Sequence, residues 1–245
     1  MSDYLYGRHA ILEALRAGRT IEEILIAMGV HSRGALDELL ALAKAKNIPV
    51  RGVARVELDR ISREHQGVVA RIAEYAYADL DDLLRVAQER GEPAFLLLLD
   101  SVQDPQNFGT LLRTAEAVGV HGVIIAERRA VGVTPAVVKA SAGAVNHLDI
   151  ARVTNLARTI ETLKRANVWI VGVENVPEAR NFDQLDYKMP LALVLGSEAE
   201  GISRLVREKC DFLVRLPMWG KVESLNVAIA GSIVLYAVKL QRNSP

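Results

Sequence analysis

The sequence holds a single cysteine, Cys210. No intrachain disulfide and no multi-cysteine metal site can therefore form, and this fits a reducing cytoplasm. Aromatic residues make up only 5% of the chain, so a core must be built from Val, Ile, Leu and Ala. The histidines, His9, His31, His65, His121 and His147, never fall at zinc-ligand spacing. No apolar run approaches the roughly 20 residues that cross a bilayer. The start, Met1-Ser2-Asp3-Tyr4-Leu5-Tyr6-Gly7-Arg8, lacks the charged beginning and apolar stretch of a signal peptide. These absences predict a soluble, unprocessed, cytoplasmic protein with no metal and no membrane.

Net charge is also missing: the formal sum is zero. Nucleic-acid contact usually needs a basic face, so this argues mildly against it. A zero sum still hides local patches. Arg8, Arg16 and Arg19 cluster early, and Arg51, Arg55, Arg60 and Arg63 cluster later. Composition leaves open whether these are solvated helix faces or a basic surface. Common nucleotide and hydrolase signatures are absent too. No GxGxxG follows a candidate strand, no GxxxxGK[ST] is present and no GxSxG occurs. A dinucleotide enzyme, a P-loop NTPase and a serine hydrolase are all disfavoured.

What is present is an α/β pattern in two stretches. Half of the 245 residues are hydrophobic and 24% are charged, room for one large domain or two modest ones. Up to Tyr75 the order reads helix, strand, helix, strand, helix, strand. Helices are predicted over 7–17 and 34–46, and strands over 21–27, 48–53 and 67–72. A charged linker with a short helix spans 76–93, so the domains are expected at 1–75 and 94–245. Phe95-Leu96-Leu97-Leu98-Leu99 opens the second stretch as a strand buried on both faces of a parallel sheet. Further strands are predicted over 122–126, 168–173, 191–195 and 212–216. Helices are predicted over 108–118, 135–142, 156–166, 203–210 and 225–241. This alternation predicts a parallel sheet with helices on both sides.

Three segments place small or polar residues directly after strand-like runs, where open α/β sheets build ligand sites. The first is Asp104-Pro105-Gln106-Asn107-Phe108-Gly109, followed by Arg113. Here Asn107 can cap the next helix, and Arg113 is either a solvated or Glu116-paired side chain or a fork for phosphate or ribose. The second is Leu195-Gly196-Ser197-Glu198-Ala199-Glu200-Gly201. Its glycines allow a tight loop that exposes backbone groups able to read an adenine edge. The third is Leu216-Pro217-Met218-Trp219-Gly220-Lys221-Val222-Glu223-Ser224-Leu225-Asn226-Val227. Ser224 reads as the N-cap of a long apolar helix, and Asn226 as a polar residue with little structural reason to stand in its first turn.

In this order and at these separations, the three segments resemble the signature motifs of the SpoU (TrmH) family of RNA ribose 2′-O-methyltransferases. Near the start, Tyr6-Gly7-Arg8-His9-Ala10 and His65-Gln66-Gly67-Val68-Val69-Ala70 resemble the ribosomal-protein-like RNA-binding domain of many members. The resemblance implies a SPOUT-type parallel sheet with a C-terminal trefoil knot, preceded by a small α/β RNA-binding domain. It also implies a homodimer, S-adenosylmethionine as cofactor, and RNA as partner. The match is to the subgroup that methylates a guanosine ribose in large-subunit ribosomal RNA. A transfer-RNA enzyme, a resistance-type methyltransferase and a non-enzymatic RNA-binding protein are the alternatives. By match, Arg113, Asn107, Glu198, Ser224 and Asn226 are the catalytic positions. Leu195, Gly196, Leu216, Met218, Ser224 and Leu225 are the cofactor contacts. The family's proposed base would be Arg113, but a guanidinium stays protonated in proteins. Holding an RNA phosphate and polarising the hydroxyl is the role that suits it.

Overall fold

A computed structural model describes residues 3–30, 34–72 and 75–244. Met1, Ser2, His31 and Pro245 lie outside the described residues. The chain divides into two compact units. One comprises residues up to Ala76 together with Val133–His147; the other comprises Tyr77–Gly132 and the rest from Leu148.

The first unit contains β1 (Asp3–Tyr6), α1 (Arg8–Arg16), β2 (Ile21–Ala27), α2 (Ala35–Ala45), β3 (Val50–Val53), α3 (Arg55–Ile61) and β4 (Val68–Ile72). Its sheet runs β1-β4-β2-β3, with only β2 and β3 parallel. Leu25, Ala27, Val53, Leu58 and Val69 form a small core under Tyr4, Tyr6, Val30 and Ile61. β1 was not legible in the sequence: four residues carry too little alternation, and pairing with β4 makes it a strand.

The second unit is built from α4 (Leu80–Arg90), β5 (Phe95–Leu99), α5 (Pro105–Ala117), β6 (Gly122–Ala126), then, beyond α6 (Pro135–Ala140), β7 (Ile150–Val153), α7 (Leu156–Arg165), β8 (Trp169–Val173), β9 (Arg180–Asn181), β10 (Leu191–Leu195), α8 (Arg204–Arg207), β11 (Phe212–Arg215) and α9 (Val227–Asn243). All neighbours in the sheet β7-β6-β5-β10-β8-β11-β9 are parallel. β5 and β10 lie at its centre with every residue buried. Successive side chains point to opposite faces. Leu96, Leu98, Ala192 and Val194 meet Leu83, Ile160, Leu163 and Val206 on one side. On the other, α9 packs on β10 and α5. A Cβ at Gly231 of α9 would stand 2.4 Å from Leu195 and 2.6 Å from Leu111, so glycine permits this close approach. Arg242 ties down the end of α9. Its guanidinium donates to the carbonyls of Pro93, Ala94, Tyr187 and Met189, and burial pushes its pKa down to about 10.

The compact units differ from the expected partition in two places. Residues 77–93, expected as a linker, belong to the second unit, where Leu83 and Ala87 join the core. The helix at Pro135–Ala140 was expected inside the C-terminal domain, yet it groups with the first unit and packs on β1. Its Lys139 pairs with Glu64, and Asn146 and His147 beyond it bond Arg19 and Glu13. Periodicity marks a helix but does not say which sheet it serves.

Candidate active site

The strand order reverses around β5 and β10. Open parallel sheets bind ligands beyond the carboxyl ends of strands at such a point. Beyond the ends of β8, β10 and β11 lies a cleft of about 300 Å³, at the lower end of the roughly 300–1,000 Å³ usual for small-molecule sites. All the sequence-predicted cofactor contacts line it: Leu195, Gly196, Leu216, Met218, Ser224 and Leu225. Glu198 lines it as well.

The loop after β10 closes on itself. Ser197 and Gly201 exchange both backbone hydrogen bonds at 3.0 Å, and Gly201 has φ +66°, where glycine is favoured. A Cβ on Gly196 would lie 2.0 Å from the Gly201 carbonyl carbon and 2.2 Å from Ile202 N. Two acidic residues anchor the far end, and sequence reasoning did not single out either. Asp100, buried at the end of β5, accepts from Ser203 N at 2.7 Å. Glu174, at the end of β8 and lining the cleft, accepts from Ile202 N at 3.3 Å through Oε1. The available signal was an acid standing directly after each apolar strand.

The three segments meet in one hydrogen-bonded chain. Asn226 caps α9, its Oδ1 accepting from Ala228 N at 2.9 Å and Ile229 N at 3.3 Å. That fixes its amide so that Nδ2 donates to Asn107 Oδ1 at 2.9 Å. Asn107 in turn must present Nδ2, which donates to Glu198 Oε1. Partners far apart in sequence thus determine both amide orientations. Two expectations are corrected. The N-cap of α5 is Asp104, accepting from Asn107 N at 2.8 Å, so Asn107 is free to reach across to Glu198. The N-cap of α9 is Asn226, not Ser224; helical geometry begins two residues later than Ser224 allows, and Asn226 has a structural reason to be there. Ser224 stays exposed on the cleft wall outside this chain. Arg113 also stands apart from it. It projects exposed from α5, with no hydrogen bond or ion pair to a described residue.

The site fits a nucleoside cofactor by its own chemistry. Backbone groups of the 196–201 loop and of Leu216 frame an apolar cleft, the space beside Gly196 is too tight for any side chain, and Glu174 keeps Oε2 buried without a hydrogen bond, 3.5 Å from Arg207 Nη1. Among the described residues, no three His, Cys, Asp or Glu side chains gather as a metal site, and no helix is long and apolar enough to cross a membrane.

A parallel α/β sheet with a looped cleft at its switch point, carrying this polar chain, defines a small-molecule-binding α/β protein. Family models agree and are more specific. Residues 94–236 match the SpoU rRNA Methylase family, and residues 4–78 match the RNA 2′-O ribose methyltransferase substrate-binding domain. The chain is 47% identical to a putative TrmH family tRNA/rRNA methyltransferase, YacO, of Bacillus subtilis, over 98% of this chain and 96% of that one. It is similar in structure to the SpoU methyltransferase AviRb of Streptomyces viridochromogenes in complex with AdoMet (TM-score 0.83, 26% identity, 99% of this chain and 91% of that one). An AdoMet-bound rRNA methyltransferase of Sinorhizobium meliloti is similar as well (TM-score 0.80, 26% identity, 99% and 88%). The protein belongs to the SpoU family of S-adenosylmethionine-dependent RNA methyltransferases.

Proposed function

We propose that the protein transfers a methyl group from S-adenosylmethionine to the ribose 2′-hydroxyl of a guanosine in large-subunit ribosomal RNA. The observation that carries this is the chain Asn226–Asn107–Glu198, which joins all three motif segments at the lip of the cleft. A ribosomal target is supported by the match of residues 94–236 to the SpoU rRNA Methylase family and by a ribosomal-RNA enzyme among proteins similar over almost the whole chain. Guanosine rests on the motif match alone. A cytoplasmic setting agrees with a ribosomal substrate.

When bound, the donor supplies an electrophilic methyl on a sulfonium, and that charge is discharged as the methyl leaves. The residues of this chain position and polarise. Leu195, Leu216, Met218 and Leu225 give the cleft its apolar wall, and the 196–201 loop offers backbone donors and acceptors. Asn107, Asn226 and Ser224 fix the geometry around the 2′-hydroxyl. Glu198 holds Asn107 in register. Arg113 grips an adjacent RNA phosphate and stabilises negative charge on the oxygen as its proton passes to solvent water.

The reading includes a homodimer and a knotted C-terminal path. α9 is apolar on both faces. Val227, Val234, Leu235 and Val238 are buried, whereas Ile229, Ile233, Tyr236 and Leu240, spaced along one stripe, are 40–65% exposed. Such a stripe fits a second copy of the chain. Thr114, next to Arg113, bonds Ser232 of α9 at 2.8 Å, so pairing through α9 brings Arg113 to the subunit boundary. That accounts for its lack of partners among the described residues of one chain. Ile233→Glu is expected to halve the mass measured by light scattering at micromolar concentration, with the fold retained by circular dichroism. A variant that keeps the wild-type mass would remove α9 as the interface. The knotted path rests on the family match alone.

The function is tested by label transfer from methyl-labelled S-adenosylmethionine to separate pools of unmodified ribosomal and transfer RNA. The expected product is 2′-O-methylguanosine in large-subunit RNA. Label confined to transfer RNA would overturn the substrate, and another methylated nucleoside would overturn the base.

A further inference from the structure

We propose that the face of the first unit formed by α3 and the turns flanking it is a phosphate-gripping RNA surface, with Arg55, Arg60 and Arg63 as its cations and Arg8 and Gln66 as its rigid edge. This rests on RNA being the substrate and assigns the residues of the first unit that hold it. Charge accounting carries the argument. Three of the eight described arginines of this unit are paired with carboxylates. Arg16 pairs with Glu13 and Glu38, Arg51 with Glu23, and Arg71 with Glu22. Arg19 lies 3.8 Å over the Tyr75 ring and bonds Asn146.

Around α3 the acids are bonded to groups other than the arginines: Glu57 accepts from Ala54 N, Asp59 from buried His65, and Glu64 pairs with Lys139. Arg55, Arg60 and Arg63 are exposed and have no hydrogen bond or ion pair to a described residue. Three exposed, unpaired arginines thus lie on and just after α3, whereas Arg16, Arg51 and Arg71 are held in ion pairs. Guanidinium groups left without a carboxylate are what the phosphates of a polyanion would meet.

The edge beside Arg55 is fixed in shape. Gln66 has φ +51° and Gly67 φ +86°, and a Cβ at Gly67 would stand 2.8 Å from Val30. Arg8 Nε donates to Gln66 O at 3.2 Å, while Gln66 Oε1 accepts from Arg8 N at 3.3 Å. The Gln66 carbonyl and amide oxygen each accept from Arg8, and its Nε2 has no hydrogen-bond partner among the described residues. Arg8, Arg55, Gln66, Gly67 and Val30 line one shallow concavity. A fixed amide donor between two guanidinium groups suits a sugar–phosphate strand rather than a flat apolar partner.

The test uses the full chain and measures RNA affinity against salt concentration, with an unmodified in vitro transcript of large-subunit ribosomal RNA and with bulk transfer RNA. The triple variant Arg55→Ala, Arg60→Ala, Arg63→Ala is compared with a control of equal charge change, Arg16→Ala, Arg51→Ala, Arg71→Ala. The first is expected to lower the slope of log affinity on log salt by roughly 2 to 3, to weaken binding about tenfold or more near physiological salt, and to leave S-adenosylmethionine affinity unchanged. The control, which breaks only exposed ion pairs, is expected to keep the slope within about 1 of wild type. Wild-type binding with an unmoved slope in the first variant, or an equal fall in both, overturns this surface while RNA as substrate stands. Failure of the wild type to bind either RNA removes the reading on which the surface rests.

Discussion

Alanine at Gly196 is expected to lower S-adenosylmethionine affinity on the order of a hundredfold or more and to destabilise the fold by about 1–3 kcal/mol. The added methyl has nowhere to go. It would sit 2.0 Å from the Gly201 carbonyl carbon and 2.1 Å from its oxygen, and backbone cannot swing aside as a side-chain tip can. Relief requires breaking the paired Ser197–Gly201 hydrogen bonds, which removes the shape of the cleft wall. The far end of the loop gives no slack, because Asp100 and Glu174 hold Ser203 N and Ile202 N. Gly220→Ala is the control. Its Cβ meets nothing within 4 Å, so stability should stay within about 0.5 kcal/mol. Calorimetric titration and thermal unfolding of both variants decide the matter. Wild-type affinity in Gly196→Ala would mean that the loop does not shape the cofactor site.

This contrast also shows how far the sequence could be read. Gly122–Ala126 and Leu191–Leu195 were legible to the residue, because apolar runs between turn residues have one good solution in a sheet buried on both faces; Ile21–Ala27 was legible from β-branched residues bounded by turns, although Glu22 and Glu23 interrupt its apolar run. The importance of Gly196 was legible as a glycine in a loop, but the reason differs from conformational freedom: it is the proximity of Gly201, which only the folded chain creates. Asn226 shows the same limit. Its capping of α9 and its bond to Asn107, 119 positions away, depend on where the helix starts, and Ser224 offered an equally good local start. β7 and α3 carry too few apolar residues to announce their bounds: Ile150-Ala151-Arg152-Val153 is short, and α3 buries only Leu58. Pairing of acids with bases was invisible as well. The arginine clusters read alike in composition, and only tertiary contacts separate the neutralised Arg51 from the free Arg55.

Replacing Arg113 by alanine is expected to cut turnover by about 10²–10³-fold, with S-adenosylmethionine affinity within about twofold of wild type and stability within about 0.5 kcal/mol. The stability part follows from its surroundings. Arg113 is exposed and makes no hydrogen bond or ion pair with a described residue, so the fold loses nothing on truncation. A large catalytic effect without a structural one marks a group whose partner arrives with the substrate. The same substitution should raise KM for RNA if the guanidinium also grips a phosphate, and it should act on kcat alone if it meets only the reacting oxygen. Arg113→Lys keeps the charge but loses the planar fork. Partial recovery of the rate in that variant would assign the effect to charge at the oxygen, and no recovery would assign it to bidentate geometry. Mixing Arg113→Ala chains with Gly196→Ala chains adds a further reading. If paired chains share a site, one subunit supplies Arg113 and the other the intact loop, and mixed dimers should regain part of the activity that neither variant has alone. An unchanged rate in Arg113→Ala would exclude Arg113 from the chemistry altogether, leaving Asn107, Glu198, Ser224 and Asn226 to carry it.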